Sequence, residues 1–280
     1  MKIMQDNIEY EVFNPVQRVL KKCVFNPIIN YVIPAPMMKR MLENSKSDLA
    51  HESLRAAGSW KCMQLSYDNL PPKDFIDKCV LELGSFPAGL RNRKKLSVKM
   101  MVELLNRYKG KEHIIVVGIG SGRADNALEA IKASGLKNVK GYFFDLDDDA
   151  MEPGRKLAAS LGLSKNISYV KADAITIKEH LPENADMLKL IGIIEYLSDE
   201  QIATLLKVGF ANLNKGGTVL THAIEPAHGI TPFLKRIFKL DLIYRTPEQV
   251  QKLLTGAGFE ILEVKPEPLN IYTLVTAVKR

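Results

Sequence analysis

The chain has 280 residues, 46% of them hydrophobic, and 39 basic against 32 acidic side chains give a formal net charge of +7. That is ample apolar material for a packed core, no run approaches the ~18 residues of a membrane span, and no membrane partner is expected. Cys23, Cys62 and Cys79 form no CxxC pair, which argues against a disulfide framework or a zinc site and for reduced thiols.

The N-terminal stretch MKIMQDNIEYEV carries charges where a signal peptide needs an apolar segment, so a cytoplasmic protein is expected. Residues 1 to about 110 read as helical and irregular, cut into short pieces by Pro15, Pro27, Pro34, Pro36, Pro71, Pro72 and Pro87. Helices are predicted over 15–25, 36–42, 48–65, 72–83 and 93–108. In the last, Leu96, Met100, Leu104 and Tyr108 fall on one face. This first region is expected to act as a lid, a substrate-binding part or a dimerisation surface, and a homodimer is compatible with it. The division is expected near residue 110.

From Lys111 the rhythm changes. Strands are predicted at 113–119, 139–145, 167–172, 186–193 and 218–224, and helices at 123–134, 148–161 and 198–213. Such alternation predicts a mostly parallel sheet covered by helices, an α/β fold. The tail departs from it: after a helix over 247–257, two β-rich runs, 259–265 and 271–278, are joined too tightly for a crossover and should pair antiparallel.

The most informative stretch is HIIVVGIGSGRADNALEAI, residues 113–131. A β-branched run leads into Gly118, Gly120 and Gly122, and then the period turns helical. Glycines at that place allow positive φ or close backbone approach, and a helix N-terminus suits a nucleotide-like cofactor. Asp145 ends the second strand, where a carboxylate can accept both hydroxyl protons of an adenosine ribose. Asp147, Asp148 and Asp149 follow it, the last two reading as loop carboxylates. Asp173 and Ala174 close the third strand, an acid for an adenine amino group beside a small residue that leaves room for the ring. The alternative for Asp173 is a helix cap.

Taken together in this order, these features resemble the class I S-adenosylmethionine-dependent methyltransferases, over residues 111 to 280. FFDLDDDAMEPGRKLAASLG, ISYVKADA, LIGIIEYLSDEQIATLLKVGFANLNKGGTVLTHAIEP and RTPEQVQKLLTGAGFEI match successive regions of that family. The resemblance implies a Rossmann-like sheet with a closing antiparallel strand. It also implies S-adenosylmethionine as cofactor, with Gly118, Gly120 and Gly122 lining its methionine part, Asp145 at the ribose, and Asp173 with Ala174 at the adenine. Gly118 stands where the family often has an acid, so the cofactor's amino group falls to backbone carbonyls or another residue. NAD fits less well, because Arg123 occupies the third glycine position of a G-x-G-x-x-G/A fingerprint.

Absences narrow the acceptor. LIGIIEYL lacks the Asn/Asp-Pro-Pro-Tyr motif by which base-amine methyltransferases resemble one another, so nucleic acid is disfavoured. The paired acids of metal-dependent catechol enzymes are missing as well, and no metal is expected. A small molecule or carrier-bound metabolite, methylated on oxygen or nitrogen, is the expected acceptor. An O–H or N–H acceptor needs a base, and the candidates are Glu195, Tyr196, His222 and His228, with Glu225 and Tyr244 as substrate contacts. Two rival readings keep the cofactor: transfer of its aminocarboxypropyl group, as in nicotianamine-synthase-like enzymes, and a binding scaffold without turnover.

Overall fold

The computed structural model describes residues 1–226 and 228–280. It opens with a hairpin that the sequence reading left irregular. β1 (Lys2–Gln5) pairs antiparallel with β2 (Ile8–Glu11), and Asp6 and Asn7 turn between them at φ 51° and 62°. Asp and Asn tolerate that left-handed region better than other side chains.

A helical rod follows. α1 (Pro15–Leu20) is capped by Asn14, whose side chain accepts from the N–H of Gln17, and it continues into two wide π segments, Lys21–Phe25 and Ile28–Val32. Next come α2 (Ala35–Glu43), α3 (Asp48–Ala56), α4 (Trp60–Asp68), α5 (Phe75–Leu81) and α6 (Ser85–Asn106). The helix expected over 48–65 is broken at Gly58, which sits at φ 81°, and Ser59 caps the new start. Conversely, α6 starts earlier than 93, because Pro87 lies in its first turn, where a missing N–H costs no hydrogen bond.

The remaining elements are β3 (Ile114–Ile119), α7 (Asp125–Ser134), β4 (Val139–Asp145), α8 (Met151–Ser160), β5 (Ile167–Lys171), α9 (Ile177–His180), β6 (Ala185–Leu190), α10 (Asp199–Asn212), β7 (Leu213–Ile224), α11 (Thr231–Phe238), α12 (Pro247–Gly256), β8 (Glu260–Pro266) and β9 (Tyr272–Val278). The seven-stranded sheet has the order β5-β4-β3-β6-β7-β9-β8, with β5 through β7 in parallel register. β9 runs antiparallel to β7: Gly216 N–H donates to Lys279 O at 2.7 Å and Lys279 N–H to Gly217 O at 2.9 Å. Those ladder bonds carry β7 through its glycines, so it begins five residues before the predicted 218. α11 was not predicted. The sheet's core is built from alternate apolar residues of β3, β6 and β7, among them Val117, Leu188, Leu190 and Val219, all at most 2% exposed. Each such burial contributes about 1.5–3 kcal/mol.

The chain parts into two units, and the division differs from the expected boundary at 110. One unit comprises 1–95, 225–242 and 266–272, and the other 96–224, 243–265 and 273–280. Residues 96–110 belong with the sheet for a packing reason: Leu96, Met100 and Leu105 are buried, Ser97 Oγ accepts from the Asn126 amide at 3.1 Å, and Tyr108 OH donates to Thr218 Oγ1 at 2.9 Å.

The first unit holds a buried polar cluster. Arg91 makes a two-pronged ion pair with Glu11 (2.5 and 2.7 Å) and donates to the carbonyls of Ser66 and Leu81. Asn92 donates to Glu267 Oε2 at 2.9 Å, and the N–H groups of Leu269 and Ile271 donate to the same carboxylate. Burial pushes the Glu267 carboxyl above the usual range, while these donors hold it back.

Lys21 lies over the Phe13 ring (3.9 Å) and donates to Leu83 O and Ser85 Oγ. Burial lowers its pKa to about 8, against an ordinary 10.5. Below pH 8 the ammonium is charged in both folded and unfolded chains and its desolvation opposes folding. Between about 8 and 10.5 only the folded chain sheds the proton, so stability from this group rises with pH across that window. Urea unfolding of the wild type and of Lys21→Met at stepped pH should show the difference between them shifting in the wild type's favour from pH 8 to 10.5. A constant difference would place Lys21 in solvent.

Candidate active site

The sheet unit brings together the glycine turn, Asp145, Asp173, Ala174, Glu195, Tyr196, His222 and Tyr244. The turn descends from β3. Gly120 and Gly122 take φ 56° and 51° there, and Ala124 follows at φ 61° ahead of α7. A Cβ on Gly120 would lie 2.4 Å from Ile193 Cδ1, so the loop that follows β6 packs directly on the turn and only glycine fits. At Gly118 a Cβ would meet Ser121 Oγ at 2.4 Å and Phe143 Cδ1 at 2.9 Å. Ser121 and Phe143 thus fill the space that an acid at this position would need.

Asp145 ties the turn to β4. Its Oδ2 accepts from Gly122 N–H at 2.7 Å and its Oδ1 from Asp147 N–H at 3.0 Å, while Ser121 N–H donates to Phe144 O at 3.1 Å. A carboxylate oxygen offers two lone pairs, so one backbone bond on each leaves acceptor capacity for a diol. Asp173 is exposed and Ala174 half-buried. The Asp173 side chain accepts from Ile175 N–H at 3.0 Å, capping a short 3₁₀ turn as the alternative reading described. Asp147, Asp148 and Asp149 place carboxylate oxygens within 4.8 Å of one another on an exposed loop, with Asp148 paired to Lys171 at 2.8 Å.

Ser121 is a residue that sequence reasoning missed. It is 8% exposed, and its buried hydroxyl has no hydrogen-bond partner among the described residues. A shielded hydroxyl without a partner costs free energy, and a polar ligand seated in the turn would satisfy it. Its only signal in the sequence is a hydroxyl residue set between two glycines. Together with the side-chain-free surface at Gly120 and the acceptors of Asp145, it makes the turn a fitting cradle for S-adenosylmethionine.

Beside the turn, at the carboxyl ends of neighbouring β6 and β7, Glu195 and His222 face each other. Glu195 Oε2 is 3.4 Å from His222 Nε2, and the two side chains are 5% and 0% exposed. Glu195 lies in a 3₁₀ turn, Ile194–Tyr196, that a second overlooked residue holds in place. Arg245, 5% exposed, donates to Ile194 O (2.7 Å), Leu197 O (2.6 Å) and Asp199 Oδ1 (2.8 Å). The Ile243 N–H also donates to Glu195 O at 2.9 Å, which sets half-buried Tyr244 beside the same turn. Tyr196 is 44% exposed.

His228 and Glu225 fall in the other unit. His228, at φ 47°, has Nε2 2.7 Å from Leu269 O and its ring edge-on to Phe13. Burial, aided by the charges of Lys21 and Arg18, holds its imidazole below the ordinary value. Glu225 N–H donates to Ile271 O at 2.9 Å. Neither residue is assembled with the glycine turn inside the sheet unit.

The model of the O-methyltransferase domain matches residues 80–260. The caffeic acid 3-O-methyltransferase of Zinnia elegans is 27% identical over 200 residues, which cover 68% of this chain and 52% of that protein. The chain spans about half the length of the curated relatives it matches. In fold it is similar to a possible exported protein from Bordetella parapertussis (TM-score 0.72, 18% identity, 96% of this chain and 99% of that one). It is also similar to the magnesium protoporphyrin IX methyltransferase of Synechocystis PCC 6803 with bound S-adenosylhomocysteine (TM-score 0.58, 12% identity, 86% and 99%).

Proposed function

Because the chain belongs to the O-methyltransferase domain family, we propose that it transfers a methyl group from S-adenosylmethionine to an oxygen of a small molecule, without a metal, and that His222, backed by Glu195, removes the acceptor's proton. The observation that carries this reading is the placement of the glycine turn, Asp145 and the Glu195–His222 pair along one carboxyl edge of the sheet, where ligands bind in open α/β folds.

Bound S-adenosylmethionine supplies a methyl group on an electron-poor sulfonium. The protein's share is positioning and proton removal. Gly118, Gly120 and Gly122 give a surface without side chains, Ser121 offers a hydroxyl for the methionine part, Asp145 accepts from the ribose, and Asp173 with Ala174 flanks the adenine. Holding the two reactants in line supplies much of the acceleration. His222 takes the hydroxyl proton, and Glu195 stabilises the imidazolium that results. Shielded from water, that charge pair is worth more than it would be in solvent. Tyr196 and Tyr244 line the acceptor side. The thiols of Cys23, Cys62 and Cys79, all free, support a reducing, cytoplasmic setting.

Calorimetric titration with S-adenosylmethionine and S-adenosylhomocysteine tests the cofactor. Saturable binding is expected, weakened about 100-fold or more in Asp145→Ala, which removes acceptors and loosens the turn together; each charge-assisted bond contributes ~1.5–3 kcal/mol. A panel of phenolic acceptors, read by mass, should then show products heavier by one methyl. Unchanged affinity in Asp145→Ala, or a product carrying the larger aminocarboxypropyl group, would overturn the reading.

A further inference from the structure

Within the first unit three basic side chains gather around the Phe13 ring. Lys21 Nζ stands 3.9 Å from the ring centroid, Arg18 Nε donates to Phe13 O at 2.9 Å, and the His228 imidazole lies edge-on to the ring with 6.2 Å between centroids. None of the three meets a carboxylate among the described residues. Lys21 donates to Leu83 O and Ser85 Oγ, Arg18 to Phe13 O and His228 to Leu269 O. The charges acting on His228 are those of Lys21 and Arg18, both cations. The ionisable group acting on Lys21 is the Cys79 thiol of α5, which burial keeps protonated. Like charges held together out of water oppose one another's ionisation, and an anion between them relieves that cost.

The arrangement is held in place by uncommon backbone. His228 sits at φ 47°, and the Asn26 amide donates to its carbonyl while the Asn30 amide donates to Gly229 O at 2.7 Å. These asparagines are 7% and 5% exposed, and the two π segments described above carry them inward. Wide helical turns and left-handed side-chain-bearing residues both concentrate at functional sites. Because Leu269 O can only accept, His228 Nε2 carries a proton and Nδ1 is left without a partner among the described residues.

We propose that Lys21, Arg18 and His228 bind the carboxylate of a small organic acid. Donor count selects the carboxylate. Leu83 O and Ser85 Oγ occupy two of the three Lys21 N–H groups, so Lys21 offers one donor and His228, once protonated at Nδ1, a second. Two donors match two carboxylate oxygens, whereas a phosphate presents three. Exposed Arg18 adds charge from the solvent side. The acid is either the methyl acceptor itself, in which case the site deepens the methyl-transfer reading, or a separate ligand that is not methylated.

The test is titration of the full chain with benzoate, 4-hydroxybenzoate and their primary amides, read by calorimetry and by the ring resonances of His228. The chain has five histidines, and His228→Gln identifies the right signal. At least one acid should bind ten times more tightly than its amide and raise the pH at which the His228 ring titrates. Lys21→Met and His228→Gln should each cut that preference for acid over amide at least tenfold, and Arg18→Gln about threefold. Should Lys21→Met fail to fold, Arg18→Gln at its exposed position decides together with the wild-type preference. Mass analysis after incubation with S-adenosylmethionine separates the sources: 4-hydroxybenzoate gains a methyl if it is the acceptor and stays unmodified if it is a separate ligand. Equal binding of acid and amide, no binding of either, or a preference that survives Lys21→Met and His228→Gln overturns the proposal. Tighter binding of inorganic phosphate than of any acid overturns it too. These titrations stand even if S-adenosylmethionine does not bind, so the two readings fail separately.

Discussion

Replacing His222 by Gln should lower methyl transfer by two to four orders of magnitude while leaving the dissociation constant for S-adenosylmethionine within about twofold. General base catalysis by a positioned side chain contributes on the order of 10²–10⁴. The reason to expect the upper part of that range is the setting. His222 is fully shielded, and Glu195, 3.4 Å away and nearly as buried, is the group placed to hold the imidazolium. Gln keeps hydrogen-bonding capacity and much of the volume, so the neighbouring strands lose little packing. A purely structural role is separated from a proton-accepting one by the acceptor's acidity. A nitrophenol-type acceptor that is already ionised needs no base, so the deficit of His222→Gln should shrink towards unity with it. If the deficit is the same for ionised and un-ionised acceptors, or if cofactor affinity falls with turnover, His222 is a packing residue and the base lies elsewhere.

The largest stability effect is expected at Arg91. Arg91→Ala should cost about 3–5 kcal/mol, the usual penalty for removing one partner of a buried ion pair. Arg91 is 5% exposed and its fork meets both carboxylate oxygens of Glu11, whose side chain is 20% exposed, so its loss leaves a half-buried acid without its partner and places the cost towards the lower end of that range. The carbonyls of Ser66 and Leu81 lose their donors at the same time. Glu11 closes β2, so the N-terminal hairpin is the element released first. Arg91→Lys should recover only part of the loss, since an ammonium cannot reproduce the fork. Thermal and urea unfolding measure both variants. A cost below ~1 kcal/mol for Arg91→Ala would mean that the pair behaves like a solvated surface bridge.

Much of the sheet unit could be read from residue order alone, because its signals are local. The β-branched run before Gly118, the two-residue glycine spacing and the helical period after it specify strand, turn and helix within about twenty positions. The short joint between residues 266 and 271 likewise dictates an antiparallel end to the sheet. The acceptors at Asp145 and Asp173 follow from strand ends, and the family resemblance follows from their order. Tertiary structure decided the rest. That Glu195 and His222 meet depends on β6 and β7 lying side by side with their carboxyl ends level, a register set by packing across 27 positions of sequence. Ser121 and Arg245 look like ordinary turn residues until burial strips water from one and sets three acceptors around the other. The boundary near 110 moved for the same reason. Residues 96–110 carry a helical period indistinguishable from that of the helices before them, and only the contacts of Ser97, Leu105 and Tyr108 assign them to the sheet. The rod at 15–32 shows the converse: its periodicity marks a helix, but periodicity cannot tell which apolar stripe faces the protein. The anchoring of Asn30 and Arg236's hold on its carbonyls turned one stripe inward and left the other exposed.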